Sequence, residues 1–295
     1  MIELIKQPCF LMSVPLGLDA SNANNIWMKD LSTAERKVDK TKAIGQWSQL
    51  YQFMAAQSIV YLLPTTLGLG DQVYVANLGV VLPDDLDTVI LSNFKSPPRI
   101  DEAYEGKEFF KQMGYEIIQP KDKFEGQADF KWINHNVFVG AYGQRTDIHA
   151  LHWFQTAFDL EVLPCFMEDE KLYHLDTVLF PITQSAVVIS KDFTTSELRK
   201  ELERHTEVIL AGKEETLAGI TNSIRCGQFV LGDSNINDLK KNDPEYAIQR
   251  KKITALEKIC ADQGLELRMF NISELYKSGA NLSCCVQNLN YEQTD

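Results

Sequence analysis

Three segments of the chain contain residue types that can carry out covalent or acid–base chemistry. Cys284 ends the segment KSGANLSC, His174 lies at the start of YHLDTVLF, and FEGQAD contributes the carboxylates Glu125 and Asp129. A cysteine thiolate is a strong nucleophile, and a histidine beside it can move protons to and from reacting groups. Each residue also has an ordinary structural explanation. Cysteine is often buried, a lone histidine is more often structural, and FEGQAD could be a solvated turn.

Cys284 has a direct neighbour, Cys285, and only one of the two is expected to do chemistry. If they lie on a strand, their side chains point to opposite faces, so they cannot both face a pocket. A disulfide between adjacent cysteines would be strained. The chain has six cysteines and no CxxC spacing, so neither a zinc ribbon nor a thioredoxin-type motif is indicated.

The elements that must position these residues recur in the order strand, strand, helix, strand. Four copies begin at QVYVANLGVVLP, DFKWINHNVFVGAYG, HLDTVLFPITQSAVVIS and GITNSIRCGQFVLG, at intervals of roughly 45–60 residues. A fifth begins at NLSCCVQNLN, and an N-terminal segment ending in IWM, the helix AIGQWSQLYQFMAAQ and the strand SIVYLLP could complete it. The pattern predicts an α/β ring of such units with helices outside. Since no Pro/Gly/Ser-rich linker divides the chain, residues 1–295 are expected to form a single domain.

Polar residues stand at corresponding places at the start of each predicted unit. In unit order they are Asn77, Glu125 with Asp129, His174 with Asp176, Asn222, and Cys284. Equivalent positions of a pseudo-symmetric ring converge on one end of its axis, which predicts a pocket there. Asn77 is expected inside an apolar strand, where a polar side chain must be hydrogen-bonded or functional.

The amino-acid composition limits the kinds of molecule that the protein is expected to bind. Apolar residues make up 44% of the chain, which is typical of a folded protein, and the net charge of −12 argues against a nucleic-acid partner. The same charge tolerates a small cationic substrate. No apolar run is long enough for a membrane span, and no secretory signal is recognisable at the N-terminus. We therefore expect no membrane association and a cytoplasmic location.

Metal and cofactor chemistry have little support in the sequence. His149 and His152 are three residues apart on a predicted helix, a spacing that can share a metal, but no third ligand is near in sequence. The predicted helix needs an apolar face for packing, and this structural explanation is simpler than a metal site, so we predict no metal. Glycine-rich dinucleotide or phosphate loops are absent, and no cofactor is expected.

The order of FEGQAD, YGQRTD, YHLD and KSGANLSC resembles that of the guanidino-group-modifying enzymes, which include arginine deiminase, dimethylargininase and the amidinotransferases. The resemblance implies their five-bladed pentein α/β propeller, in which pseudo-symmetric ββαβ units surround a central active site. It also implies that Cys284, which follows the Gly279-Ala280 turn, attacks the guanidinium carbon and forms a covalent thiouronium. His174 would protonate the leaving amine and then activate water, while Cys285 would pack behind the nucleophile.

The resemblance assigns roles to the remaining polar residues. Asp129 corresponds to the main guanidinium ligand, and Glu125 to the carboxylate that orients the histidine. Arg145, in GQRT, corresponds to the arginine that grips the α-carboxylate of the substrate, which favours an amino acid over agmatine. A solvated charge beside a helix start is the alternative for Arg145. Asp176 joins the substrate-binding set, the bound partner is a small guanidino compound, and a homodimer is common in the family.

Two asparagines depart from the commoner family pattern. Asn77 stands where many members carry aspartate, and with Asn25 in NNIWM it resembles the arginine dihydrolase domain of cyanobacteria, which converts arginine to ornithine, ammonia and carbon dioxide. An asparagine amide can donate a hydrogen bond to a neutral ureido group, whereas an aspartate cannot. The leading expectation is a cysteine-dependent hydrolase of the arginine deiminase or dihydrolase type. The alternatives are a dimethylarginine dimethylaminohydrolase, an amidinotransferase and a non-catalytic pentein binding protein.

Overall fold

The computed structural model describes residues 7–83 and 85–291, which form fifteen strands and eight α-helices. The strands are β1 Cys9–Ser13, β2 Ile59–Leu63, β3 Gly79–Leu82, β4 Asp85–Leu91, β5 Glu116–Ile118, β6 Phe130–Asn134, β7 Val137–Tyr142, β8 Glu161–Phe166, β9 Leu179–Thr183, β10 Ala186–Ser190, β11 Glu207–Ala211, β12 Ile224–Cys226, β13 Phe229–Asp233, β14 Glu266–Phe270 and β15 Gln287–Asn288. The helices are α1 Ile26–Lys29, α2 Lys40–Gln57, α3 Ile100–Gln112, α4 Ile148–Phe158, α5 Ser196–Leu202, α6 Lys213–Leu217, α7 Pro244–Asp262 and α8 Ser273–Tyr276. None of the helices in the described ranges has the length and apolarity needed to cross a membrane.

The strands form five three-stranded sheets that share one topology. In each sheet the central strand pairs antiparallel with the first strand and parallel with the third, and a helix connects the central and third strands. The units are β3-β4-α3-β5, β6-β7-α4-β8, β9-β10-α5-β11 and β12-β13-α7-β14. The repeated order predicted from the sequence is therefore confirmed.

The fifth sheet joins the two ends of the described chain. Its strands follow the order β15-β1-β2, with β15 antiparallel and β2 parallel to β1, and α2 connects β1 to β2. The N-terminal strand is Cys9–Ser13, whereas the IWM segment that was expected to end it lies in the short helix α1. The C-terminal segment thus completes a unit that the N-terminal segment begins.

Local signals in the sequence account for the ends of several helices. The Asp39 side chain caps α2 by accepting from the backbone N–H of Lys42, and Asp243 caps α7 in front of a proline. Gly114 follows α3 with a φ of 90°, a conformation that glycine adopts without strain. Asp101 lies in the first turn of α3, where its negative charge interacts favourably with the helix dipole.

Apolar packing fixes each helix against its sheet. Phe130 of β6 stacks on Phe154 of α4 with ring centroids 4.2 Å apart, and on Phe138 of β7 at 4.6 Å. Gly140 of β7 lets α4 approach, since a Cβ there would lie 2.5 Å from a Leu151 methyl carbon. Burial of one such phenylalanine contributes about 2–3 kcal/mol. These contacts hold the second sheet as a rigid support for the turn that precedes it.

A tight turn precedes the first strand of every unit, and we call it the opening turn. Four opening turns are single 3-10 turns at Val75–Asn77, Gly126–Ala128, Leu175–Thr177 and Ser283–Cys285, and the fourth unit opens through a bend at Asn222. Asn77 and Cys284 were expected on strands, and both lie in opening turns instead. A short buried turn and a short buried strand have similar apolar sequences, so periodicity could not separate them. Strand alternation therefore does not decide between Cys284 and Cys285.

Candidate active site

The five opening turns bring the predicted polar residues together around two adjoining cavities. His174 and Cys284 line both. The larger cavity, about 450 Å³, is also lined by Asp176 and Asn222. The smaller, about 30 Å³, is also lined by Asn25, Asn77 and Arg145. Glu125 and Asp129 are buried beside His174. All eight residues singled out in the sequence as catalytic or substrate-binding therefore lie in one region.

His174 is held on both ring nitrogens. Its Nδ1 lies 2.8 Å from Asp129 Oδ1, and its Nε2 lies 3.1 Å from Asn77 Nδ2 and 3.5 Å from Glu125 Oε2. Because the Asn77 amide donates to Nε2, the proton of the neutral ring is on Nδ1, where Asp129 accepts it. If the ring gains a second proton, Glu125 is the carboxylate that faces it.

Asp129 forms its hydrogen bonds with His174 and with residues next to it, on what we call the histidine side of the site. Besides His174, it accepts from the Thr146 hydroxyl at 2.6 Å and from the backbone N–H of Leu175 at 3.3 Å. The Thr146 hydroxyl in turn accepts from the backbone N–H of Glu125. These contacts are those of a residue that orients His174, a role the resemblance had given to Glu125, and they leave Asp129 little capacity to bind a guanidinium.

Glu125 is completely buried and forms an ion pair with Arg145. Arg145 Nη1 donates to Glu125 Oε2 at 3.1 Å, and the backbone N–H of Lys95 donates to the other oxygen. Burial alone would raise the pKa of Glu125, but the charges of Arg145, His174 and Arg99 outweigh it and hold the pKa below its ordinary value. Glu125 is thus a fixed negative charge behind the histidine.

Cys284 lies beside a different carboxylate, Asp176. Its Sγ is 3.6 Å from Asp176 Oδ2 and 3.9 Å from Asn222 Nδ2. Ser283 links the same two residues, since its hydroxyl donates to Asp176 at 2.6 Å and its N–H donates to Asn222 at 2.8 Å. Burial, and then the Asp176 charge, raise the pKa of Cys284 well above its ordinary value. These effects favour the neutral thiol at Cys284 until a further cation binds beside it.

Asp176 keeps one oxygen unused. Its Oδ1 is buried and has no hydrogen-bond partner within residues 7–83 and 85–291. An unpaired buried carboxylate oxygen costs about 1–3 kcal/mol, so it marks a position where a donor is expected to bind. This oxygen belongs to a residue that lines the larger cavity beside the thiol.

Cys285 differs from Cys284 in its access to the site, although both thiols are buried in the same hydrophobic cluster. It has no exposed surface, it packs in a hydrophobic cluster, and it lines neither of the two cavities. Its thiol faces the backbone oxygen of Asn281 at 3.7 Å, and burial raises its pKa well above the ordinary value. It therefore packs behind the nucleophile candidate, as the resemblance implies.

Asn25 holds the loop that leads to Cys284. Its Oδ1 accepts from the N–H of Met28 and caps α1, while its Nδ2 donates to the backbone oxygen of Ser278 at 2.8 Å. Gly279 follows with a φ of 77°, and a Cβ there would lie 2.6 Å from Asn25 Oδ1. The close approach explains the glycine, and it shows that the Asn25 side chain is engaged with the protein as well as lining the small cavity.

Arg145 is directed into the site rather than into solvent. Its guanidinium carbon lies 4.6 Å from the centre of the Tyr173 ring, and one of its nitrogens is paired with Glu125. The Tyr173 hydroxyl donates to the backbone oxygen of Gly279 at 3.0 Å. Tyr173 thus connects the histidine side of the site to the loop that carries the cysteine.

Two charged residues of the small cavity, Asp71 and Arg99, escaped the sequence analysis. Arg99 is buried, paired with Glu102 at 2.7 Å, and donates to the backbone oxygen of Tyr74. Asp71 Oδ2 accepts from Asn24, its Oδ1 is buried without a partner in the described chain, and burial raises its pKa. Both lie outside the opening turns, Asp71 on a loop and Arg99 in the 3-10 turn that leads into α3. The sequence signal that could have identified them is the charged residue within each of the segments GLGDQV and SPPRIDE.

Comparison with known proteins agrees with the motif order. No protein-family model matches the chain. It is 27% identical over 278 residues to a bifunctional arginine dihydrolase/ornithine cyclodeaminase of Nostoc sp., covering 93% of this chain and 37% of the relative. It is 25% identical over 278 residues to an N(G),N(G)-dimethylarginine dimethylaminohydrolase of Mycobacterium tuberculosis, covering 94% of this chain and 84% of the relative. The chain thus spans little more than a third of the bifunctional relatives.

Solved structures show the same fold. The N-terminal domain of a cyanobacterial arginine dihydrolase, bound to product, superposes with a TM-score of 0.83 at 21% identity, covering 96% of this chain and 98% of that one. A dimethylarginine dimethylaminohydrolase superposes with a TM-score of 0.70 at 16% identity, covering 96% and 99%. The chain is therefore similar in sequence to guanidino-group hydrolases and has the α/β fold of these solved structures.

Proposed function

We propose that the chain is a cysteine-dependent hydrolase that cleaves a guanidinium C–N bond of arginine or an arginine derivative. The observation that carries the proposal is the Cys284 thiol, 3.6 Å from a carboxylate, Asp176, whose second oxygen is buried and unpaired. A guanidinium supplies both things that this arrangement lacks, which are a positive charge for the thiolate and N–H donors for the oxygen. Asp176, rather than Asp129, is therefore proposed as the guanidinium ligand.

The rest of an arginine molecule fits the charges of the smaller cavity. Arg145 is proposed to bind the α-carboxylate, because one face of its guanidinium is held by Tyr173 and Glu125 while its side chain lines the cavity. Asp71 lines the same cavity and offers a buried oxygen for the α-ammonium group. This complementarity supports a free amino acid over agmatine, which has no carboxylate to pair with Arg145.

The proposed reaction proceeds in two stages. Binding of the guanidinium favours loss of the Cys284 proton to His174 Nε2, and the thiolate then attacks the guanidinium carbon. As the carbon–nitrogen bond breaks, His174 returns this proton to the leaving amine, which leaves a thiouronium on Cys284. His174 next takes a proton from water, and the hydroxide adds to the same carbon. As the carbon–sulfur bond breaks, Cys284 leaves as a thiolate and takes the proton of the added hydroxyl, the ureido product is released, and His174 gives its proton to solvent. Asp129 and Glu125 stabilise the histidine whenever it is charged.

Within this class, a dihydrolase reaction is the version we favour. The relatives named arginine dihydrolase cover the chain almost completely, and Asn77 lines the small cavity with an amide that can donate to a neutral ureido oxygen. A second candidate is dimethylarginine hydrolysis. The larger cavity beside Cys284, about 450 Å³, has room for substituents on the guanidinium nitrogen.

The finer features of the architecture are also proposals. We infer that the five sheets are the blades of a pentein propeller around one axis, that residues 1–295 act as one catalytic domain, and that the protein is cytoplasmic and forms a homodimer. The convergence of five opening turns on two adjoining cavities supports the common axis.

Parallel product analysis tests the function. The protein is incubated separately with arginine, dimethylarginine and agmatine, and ammonia, citrulline and ornithine are measured. Ornithine and ammonia from arginine are expected, with Cys284→Ser inactive and Cys285→Ser, the matched control, active. Citrulline accumulating without ornithine would rule out the dihydrolase version. A new guanidino compound formed when glycine is added would indicate a transferase, and full activity of Cys284→Ser would overturn the proposal.

A further inference from the structure

A buried ion pair of the fourth unit lies behind the turn that carries Cys284. Asp233 is the last residue of β13, Lys252 lies on α7, and their side chains are only 1% and 2% exposed. Lys252 Nζ donates to Asp233 Oδ1 at 3.0 Å. The proposed reaction uses neither residue, and neither of them lines either of the two cavities at Cys284.

The second oxygen of Asp233 holds the backbone that leads to Cys284. Asp233 Oδ2 accepts from the backbone N–H of Leu282 at 3.2 Å, and Leu282 directly precedes the opening turn of the fifth unit. The next backbone N–H, that of Ser283, donates to the Asn222 side chain at 2.8 Å. Two side chains of the fourth unit therefore fix the two successive N–H groups in front of Cys284.

The backbone at Leu282 sets the direction of the Cys284 thiol. The thiol projects from a turn of only three residues, so a rotation of the backbone at Leu282 would move the sulfur relative to Asp176, which is 3.6 Å away. A hydrogen bond from the Asn281 backbone also acts to lower the pKa of Cys284. Because Leu282 follows Asn281 directly, a fixed Leu282 helps to keep this bond in place.

The central strands of other units end in neutral residues at the corresponding place. Buried serines end β1 and β10, at Ser13 and Ser190, and Ser92 directly follows β4. A buried ion pair costs desolvation that its own attraction repays only in part, so it is a weak device for stability alone. The ion pair of the fourth unit is joined to the Cys284 turn, which indicates that its role concerns that turn.

We propose that Asp233 is a positioning residue that fixes the Cys284 turn through the Leu282 N–H, and that Lys252 holds this carboxylate in place. The role rests on Cys284 as the nucleophile of the proposed function. Since Lys252 balances the charge of Asp233, the carboxylate gives the turn an acceptor without adding an unpaired negative charge behind the thiol. The acceptor, rather than the charge, is the part of Asp233 that the turn needs.

Two double variants separate the acceptor from the charge. Asp233→Asn with Lys252→Met removes both charges and keeps an oxygen for the Leu282 N–H, whereas Asp233→Leu with Lys252→Met removes the oxygen as well. Neither leaves a lone buried charge, so both are expected to fold. Lys251→Met is the control, because this neighbouring lysine forms an exposed ion pair with Glu214.

Two measurements are made on each protein. The first is alkylation by iodoacetamide without substrate, with peptide mass spectrometry giving the rates at Cys284 and Cys285 and thermal melting confirming the fold. The second is the separate determination of kcat and KM for arginine. If the leucine variant does not fold, Asp233→Ala with Lys252→Met removes the same acceptor with a smaller side chain.

The variant without the acceptor is expected to lose about tenfold in the selectivity of labelling for Cys284 over Cys285. Its kcat should fall about tenfold or more, with KM within about twofold, since the groups proposed to bind the amino-acid end of arginine are untouched. The asparagine variant and Lys251→Met should stay within about threefold of the unsubstituted protein in both measurements.

The proposal is overturned if a folded variant without the acceptor keeps the original labelling selectivity, or if the asparagine variant loses as much selectivity as the leucine variant. An increase in KM at unchanged kcat would equally contradict it. Labelling needs no turnover, so a protein that does not hydrolyse arginine would refute the proposed function while the labelling selectivity still decides the role of Asp233.

Discussion

The polar groups around His174 and those around Cys284 are satisfied to different degrees. On the histidine side, Asp129 accepts three hydrogen bonds and Glu125 accepts from Arg145 and from a backbone N–H. On the cysteine side, Asp176 Oδ1 has no donor among the described residues, and the thiol lies at long distances of 3.6 and 3.9 Å from the side chains of Asp176 and Asn222.

The difference separates groups that orient from groups that bind. A buried network whose members are all satisfied is rigid, and it fixes the tautomer and direction of His174 without a ligand. A buried carboxylate oxygen without a donor is unfavourable in the empty protein and becomes favourable when a cation arrives. The histidine side is thus complete in the empty protein, while the cysteine side keeps an unpaired oxygen for the proposed substrate.

The largest expected effect comes from Asp176→Asn, which removes the charge from the incomplete side. We expect kcat/KM for arginine to fall about 100-fold to 1000-fold, because the guanidinium loses its carboxylate. Alkylation of Cys284 in the absence of substrate should instead become faster, because the Asp176 charge raises the pKa of this thiol. Steady-state kinetics and iodoacetamide labelling measure the two effects. Slower labelling in a folded variant would contradict the division between the two sides.

Asp129→Asn tests the complete side and should fall next in size. The amide can turn its N–H₂ toward His174 Nδ1 and so impose the wrong tautomer, which is expected to lower kcat about 100-fold. Since Asp129 bonds to the histidine side, labelling of Cys284 should stay within about twofold of the original rate, an effect under 0.5 kcal/mol. If Asp129→Asn accelerated labelling as Asp176→Asn does, the two carboxylates would not have separate roles.

The sequence predicted that these residues lie in one site, but not which carboxylate contacts His174 and which one contacts Cys284. Corresponding positions in repeated units were enough to bring Glu125, Asp129, His174, Asp176 and Cys284 into one site. Whether a carboxylate points at the histidine or at the cysteine depends on contacts such as Thr146 to Asp129, within the second unit, and Ser283 to Asp176, between the fifth unit and the third. Such distant pairs leave no periodic signal in a single sequence.

Site residues outside the repeated units were harder to predict from the sequence. Asp71 and Arg99 are buried and line the small cavity, and Arg99 is paired with Glu102 one helical turn away. A charged residue in a polar segment is normally solvated, so the sequence indicated a solvent-exposed position for Asp71 and for Arg99, whereas both are buried. The opening turns were also predicted as strands, since four buried residues in a row do not reveal a 3-10 turn.

Glu125→Gln should alter stability and its dependence on pH. Glu125 is fully buried and its folded-state pKa is lowered, so its carboxylate stabilises the fold above the ordinary value of 4.5. This contribution is lost as the pH falls through the folded-state pKa. We expect Glu125→Gln to lower the free energy of unfolding by about 2 kcal/mol at neutral pH, with the difference shrinking below about pH 4.

Urea unfolding of both proteins between pH 3 and 7, a chosen range, measures this dependence. A difference that stays constant over the range would mean that the Glu125 charge does not stabilise the histidine side. Thr146→Val is a useful comparison, because it removes two hydrogen bonds of the same network, each worth about 1 kcal/mol, without removing a charge.

The smallest effect is expected at Tyr173, which connects the two sides. Tyr173→Phe keeps the ring under Arg145 and removes only the hydrogen bond to the Gly279 oxygen, so it should cost about 1 kcal/mol of stability and at most about fivefold in kcat/KM. Tyr173→Leu also removes the cation–π contact and should raise KM for arginine further, through Arg145. If Tyr173→Phe were as damaging as Asp129→Asn, the loop that carries Cys284 would depend on the histidine side for its position. The cysteine side would then be incomplete in its backbone as well as in its charge.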